Sequence, residues 1–468
     1  MKWRPKPMPR RIRAEEPNTA LPGGHNLAKH SVVEELVRLE LDGVSTVVAV
    51  IRPKAPGRYP TLVFHHGAGT GNHTAFREHS LALAAWGVVC ITPDKDLAVY
   101  STWRRDYEHM ARQYAELAGW ARAQPWADPA RTGHYGESEG AWTAKLALHQ
   151  DPAAGLLALV SDPGVTPRGQ AYYAAANYMV SVAAPAPLMY AAVRLVGAKM
   201  PPGMLQYGDF DASPYHDALA MPVFMAYGTN DISVPLEQGA QVVMDSAQGQ
   251  VLVRYYAKAN HGLRVGEDQH LAQNFLRDLA TWANLAGSSD LAKAVPVAGD
   301  QPDQAFWVDQ PPRGVPITWL GGTLAVALGS IGLSYARREG PPGRLCSFNL
   351  FRLGALVSFG GYARYLQKVV NLAANYHQDP RLVHLGYRAL QASGLVTLGA
   401  GYQALRRAKW RPGRLLAGLV GGGLLAALTG YLGAFGRLKL ASLPKNGAVN
   451  ATEPAANSHG QAEPPEDS

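Results

Sequence analysis

The chain has 468 residues, 47% of them apolar, which is enough for a large core and for more than one domain. Charged residues make up 17%, against the roughly 25% usual in soluble proteins, so part of the chain is expected to face a non-aqueous environment. The formal net charge is +8, but the basic residues are not interleaved with aromatics in a nucleic-acid module, and no nucleic-acid partner is expected.

Residues 1–30 carry Lys2, Arg4, Lys6, Arg10, Arg11 and Arg13 with no apolar run behind them. They read as a disordered basic arm with a weak attraction for anionic lipid, not as a signal peptide. From Glu34 the sequence alternates (ELVRLEL), turns at Asp42-Gly43 and returns as VSTVVAVI, the pattern of a hairpin. Residues 60–64 (PTLVF) form a strand candidate that runs into His65, His66, Gly67, Ala68, Gly69, Thr70 and Gly71. A glycine-rich loop in that place can bring backbone N–H groups to a substrate oxygen, and the N–H of Ala68 is the candidate donor. A helix near 76–85, a strand at 88–92 and a helix over 107–123 come next. This alternation argues for a mostly parallel sheet covered on both faces. The spacing of His65, His66, His73 and His79 fits no standard ligand pattern, so no metal is expected. The loop reads GxGxG with Asn72 where a dinucleotide loop needs its third glycine, so no cofactor is expected either. Cys90 and Cys346 read as two buried free thiols.

The stretch RTGHYGESEG at 131–140 has the form of a nucleophile elbow centred on Ser138. A serine hydroxyl is a poor nucleophile at neutral pH and needs a base within reach, which a sharp strand-to-helix turn permits. Gly136 and Gly140 allow that turn, residues 131–135 can be a short buried strand, and residues 141–149 (AWTAKLALH) read as a helix. The N–H of Glu139, directly after the serine, is the second oxyanion donor candidate. After a strand at 157–160 the pattern breaks, and the Tyr-, Ala-, Met- and Pro-rich residues at about 163–212 suggest a helical cap favouring an uncharged, hydrophobic substrate. Residues 221–227 (MPVFMAY) and 251–256 (VLVRYY) are further strands, followed by polar turns that carry Asp231 and His261. The order Ser138, Asp231, His261 is that of a hydrolytic triad in which the acid fixes the imidazole and the imidazole takes the serine proton.

With its HHGAG loop, GESEG elbow, YGTNDISVP acid turn and NHGL base turn, the chain resembles the alpha/beta-hydrolase superfamily, in its prolyl-oligopeptidase-like and dienelactone-hydrolase-like branch. The resemblance covers about residues 32–283 and implies an α/β fold, a mostly parallel sheet with helices on both faces and a helical cap. It implies a serine hydrolase acting on an ester-type bond through Ser138, Asp231 and His261, with peptidase or amidase activity as an alternative. A catalytically silent hydrolase-fold domain used for binding is the alternative from another class. In two places the sequence departs from the common pattern: acidic Glu137 and Glu139 flank the serine, and Ala141 follows Gly140. Acidic neighbours weigh against fast acylation of anionic substrates.

The hydrolase region is placed at 31–286, and the Pro-, Gly-, Asp- and Gln-rich residues 287–314 are expected to be a linker. Residues 316–335 and 415–436 are uncharged and long enough to cross a bilayer, with marginal candidates near 346–366 and 387–405. A multi-pass α-helical membrane region over 315–440 is expected, with two or four spans, followed by a disordered tail at 441–468. Arg337, Arg338 and Arg344 fall on the same face as Arg406, Arg407, Lys409, Arg411 and Arg414 for either span count. The positive-inside rule makes that face cytoplasmic and the hydrolase domain extracytoplasmic. The expected partners are a small uncharged ester and the lipid bilayer; the oligomeric state is left open.

Overall fold

A computed structural model describes residues 12–308, apart from 70, 102, 186–188, 190–195, 197–205 and 305, together with 368 and 380–388. The fold begins with the expected hairpin. Strand β1 (Val32–Leu41) pairs antiparallel with β2 (Val44–Pro53) across Asp42 and Gly43. Both turn residues have positive φ, 46° and 76°, which matches the right-handed twist of the flanking strands.

Beyond the hairpin, strands and helices alternate. In chain order they are β3 (Tyr59–His65), α1 (Arg77–Ala85), β4 (Val89–Pro93), α2 (Tyr107–Arg122), β5 (Ala127–Glu137), α3 (Glu139–Gln150), β6 (Leu157–Val160), α4 (Pro167–Ser181), β7 (Val223–Gly228), α5 (Leu236–Ser246), β8 (Val251–Tyr256), β9 (Arg264–Val265), β10 (His270–Leu271), α6 (Phe275–Leu285) and β11 (Val297–Gly299). Nine strands make one sheet in the order β1-β2-β4-β3-β5-β6-β7-β8-β11, while β9 and β10 pair separately. Because β2 is antiparallel to both neighbours and every later pair is parallel, β2 alone runs against the rest.

The central strands are buried end to end, as strands covered on both faces must be. Their side chains divide with a period of two. Leu62, Phe64, Phe224 and Ala226 pack with Leu83 of α1 and with Leu279 and Trp282 of α6. Val63 and Ile91 pack on the other face with Met110 and Leu117 of α2, and Met225 and Val253 with Leu148 of α3 and Val243 of α5.

Two boundaries differ from expectation. Residues 12–30 are not a disordered arm: Leu21 is buried, the Arg254 Nε donates to the Thr19 carbonyl at 2.9 Å, and Glu16 bridges to Ala298. The sheet edge supplies these partners, and they lie too far along the chain to be seen in local composition. The same edge removes most of the linker. Val297–Gly299 joins the sheet as β11, parallel to β8, and Phe306 and Val308 are buried against Tyr172 and Tyr173 of α4. The domain therefore extends to residue 308.

Helix α4 starts the region expected as a cap, with the Thr166 hydroxyl capping the Gly169 N–H at 3.1 Å and Pro167 in the first turn. Most of 186–205 lies outside the described residues, as do residues 1–11, three of the four expected spans in full, the fourth except for 387–388, and the tail. Among the described residues no helix is long and apolar enough to cross a membrane. Residues 380–388 are helical, with Val383 buried and the His384 Nε2 at 3.2 Å from the Val182 carbonyl, just past α4.

Candidate active site

Strand β5 delivers the chain to Glu137, and α3 begins at Glu139, so the whole reversal falls on Ser138. Its φ of 54° and ψ of −114° are strained for a residue with a side chain. The Ser138 N–H donates to the Val160 carbonyl at 2.8 Å, tying the turn to the end of β6. Glycine is required on both sides. A Cβ on Gly140 would come within 2.2 Å of the His65 carbonyl, and one on Gly136 within 2.5 Å of the Gly140 carbonyl.

The two other predicted residues arrive from neighbouring strand ends. Asp231 lies three residues past β7, where its N–H donates to the Gly228 carbonyl at 3.1 Å, and His261 lies five residues past β8. His261 Nε2 is 2.8 Å from the Ser138 Oγ, and Nδ1 is 2.7 Å from the Asp231 Oδ2. Asp231 also accepts the Ser233 N–H at 2.7 Å, and the Ser161 hydroxyl donates to the His261 carbonyl at 2.7 Å. These contacts hold the carboxylate and the imidazole from behind. Burial lowers the pKa of His261, but the charge and hydrogen bond of Asp231 outweigh it, helped by Glu137, and the net shift is upward. Burial raises the Glu137 carboxyl, with His261 opposing.

The glycine-rich loop after β3 lies against the elbow, where a Cβ on Gly67 would meet the Ser138 Cβ at 3.6 Å. Among the described residues no group accepts the N–H of Ala68 or that of Glu139. Glu139 directly follows the serine in the chain, and Ala68 follows Gly67 in the loop that lies against the elbow.

The side chain of Glu139 corrects one expectation. It is buried and offers no unpaired charge to a substrate: Oε2 accepts from Lys95 Nζ at 3.3 Å and Tyr100 OH at 2.7 Å, and Oε1 accepts from Tyr107 OH at 2.8 Å and from Arg105. Two cations neutralise it from within. Sequence reasoning misses Lys95, Tyr100, Arg105 and Tyr107. The available signal is position, since Lys95 lies two residues beyond the carboxyl end of a buried strand, where open α/β sheets place functional groups.

The histidines of the loop do not converge on a metal. His65 Nε2 is 2.9 Å from His134 Nδ1, His66 Nε2 is 2.6 Å from the Pro93 carbonyl, and His73 Nδ1 is 2.7 Å from Asp94. Among the described residues no group of three or more His, Cys, Asp or Glu side chains is placed to hold a metal ion. Cys90 is buried, which pushes its thiol pKa up, and Cys346 lies outside the described residues.

Sheet order, helix placement and the position of the elbow after β5 fit the alpha/beta-hydrolase fold. No family model matches the chain, and no curated protein matches it. Among solved structures it is similar to an esterase from Pyrobaculum calidifontis, at 18% identity and a TM-score of 0.40 over 56% of this chain and 87% of that one. It is also similar to an acetyl xylan esterase from Paenibacillus sp. R4, at 17% identity and a TM-score of 0.36 over 51% and 85%. A third is brefeldin A esterase, a bacterial homologue of human hormone sensitive lipase, at 19% identity and a TM-score of 0.41 over 57% and 79%.

Proposed function

We propose that the protein is a serine hydrolase that cleaves ester-type bonds through a covalent acyl-enzyme. The observation that carries this reading is the unbroken series Asp231, His261, Ser138, with both links under 3 Å and the serine on a strained turn. His261 Nε2 takes the Ser138 proton as Oγ attacks the carbonyl carbon, and Asp231 stabilises the imidazolium. The oxyanion is held by the N–H groups of Ala68 and Glu139, each contributing about 10²- to 10³-fold to turnover. His261 then protonates the leaving alcohol, deprotonates an incoming water, and returns the proton to Ser138 when the acyl group departs.

The Tyr-, Ala-, Met- and Pro-rich composition of residues 163–212 supports an uncharged, hydrophobic substrate. The uncharged stretches 316–335 and 415–436 support a multi-pass membrane tether, with the hydrolase domain outside the cytoplasm by the charge of the connecting loops. A fluorophosphonate probe tests the chemistry. It labels the wild-type protein and leaves Ser138→Ala unlabelled if the reading is right. An unlabelled wild type would make this a silent binding domain. A panel of acyl esters beside the matching amides then separates esterase from amidase.

A further inference from the structure

The loop that carries the first oxyanion donor has almost nothing of its own to hold it. Gly67, Ala68 and Gly69 offer no polar side chain, and glycine backbone loses more freedom on ordering than any other. A donor that must wait in place for an oxyanion needs outside support.

Lys95 supplies it. Strands β3 and β4 are parallel neighbours, so the residues just past their ends meet. The Lys95 N–H donates to the Gly71 carbonyl at 3.2 Å, and its ammonium donates to the Gly67 carbonyl at 2.8 Å, the Gly69 carbonyl at 3.0 Å and Glu139 Oε2 at 3.3 Å. All three ammonium protons are thereby used. The ammonium also lies 3.6 Å from the centre of the Tyr100 ring. The Tyr100 hydroxyl accepts the Gly69 N–H at 2.9 Å and donates to Glu139 Oε2 at 2.7 Å. In a trans peptide the N–H points opposite to the C=O, so a Gly67 carbonyl fixed on Lys95 turns the Ala68 N–H the other way. Glu139, the anchor of this cluster, carries the second donor on its own backbone.

We infer that the cluster of Lys95, Tyr100 and Glu139 is the positioning device of the oxyanion hole, setting the direction and spacing of the Ala68 and Glu139 N–H groups from behind. The inference rests on the hydrolase reading. Lys95 touches no reacting atom and is a positioning residue. Its charge is faced by Glu139 from α3 and by Arg105, Tyr100 and Tyr107 around that carboxylate. Burial depresses Lys95 to about 8, with Glu139 opposing, so the ammonium is lost within an accessible pH range.

The test uses the full chain and a fluorophosphonate, whose phosphoryl oxygen occupies the oxyanion position. Saturation kinetics separate the probe's reversible affinity from its maximal labelling rate. Lys95→Met is expected to slow maximal labelling about 10²-fold while leaving reversible affinity within about threefold. Tyr100→Phe, which removes one hydroxyl, is expected to slow it about tenfold. The wild-type rate should also fall on the alkaline side, near pH 8. That limb should disappear in Lys95→Met and move upward in Lys95→Arg, which a purely structural role would not produce. Wild-type labelling rates and pH profiles in both Lys95→Met and Tyr100→Phe would overturn the inference. If Lys95→Met does not fold by its melting curve, Tyr100→Phe decides alone. An unlabelled wild type would instead overturn the hydrolase reading itself.

Discussion

Burial lowers the pKa of His261, yet Asp231, with Glu137 behind it, raises it above the ordinary value, and this sets opposite pH demands on activity and stability. A general base works only when neutral, so kcat/KM should fall as pH drops through a value above about 6.5. Asp231→Asn should move that limb downward and lower turnover about 10⁴-fold, measured as a pH–rate profile. For stability the sign reverses. A raised pKa means the pair stabilises the fold fully below the unfolded value of about 6.5 and stops doing so as pH rises through the raised one. Ser138→Ala should cost roughly four or more orders of magnitude in hydrolysis with an unchanged melting curve. More than a tenth of wild-type activity in that variant would show that Ser138 is not the nucleophile. Asp231 and His261 are legible in the sequence because each sits in a polar turn after a largely apolar run, and Ser138 because it is the centre of the GESEG elbow. Lys95, Tyr100 and Arg105 are not, because their purpose appears only when Glu139, more than thirty residues away, is folded onto them.

Strands β6 and β8 have the limits expected from sequence, and the hairpin turns at the expected residues, since long apolar or alternating runs report burial directly. Strand β11 escapes such a reading because three residues carry no period, and what makes them a strand is the open edge of β8. A chain ended at residue 296 should therefore be less stable than one ended at 310, having lost β11, Phe306 and Val308. Equal urea midpoints for the two would contradict this. Another element-level junction lies beside the elbow, where Lys145 of α3 meets Asp162, just past β6, at 2.9 and 3.0 Å with both side chains fully buried. Removing one partner leaves a buried charge alone, so Lys145→Met should cost about 3–5 kcal/mol in urea unfolding. Lys145→Met with Asp162→Asn should recover part of that loss, because the orphaned charge goes with it.

At the scale of the whole molecule, residues 12–308 pack around one nine-stranded sheet, and the uncharged stretches beyond them pose a different problem. Composition alone marks that difference, through the low fraction of charged residues. It does not say how often the chain crosses a bilayer. If the domain is extracytoplasmic, protease added to intact cells should remove it, and full protection until permeabilisation would place it on the other side. The contact between His384 and the Val182 carbonyl past α4 bears on that number by parity. A chain that leaves the domain's side at 316–335 can touch α4 again at residue 384 only after an even number of crossings. Two spans at 316–335 and 415–436 allow one crossing before that point, whereas four spans allow two. If those stretches cross a bilayer, the contact fits the four-span arrangement and not spans at 316–335 and 415–436 alone, and a cysteine at position 384 should share its membrane-impermeant labelling with one placed at exposed Leu36.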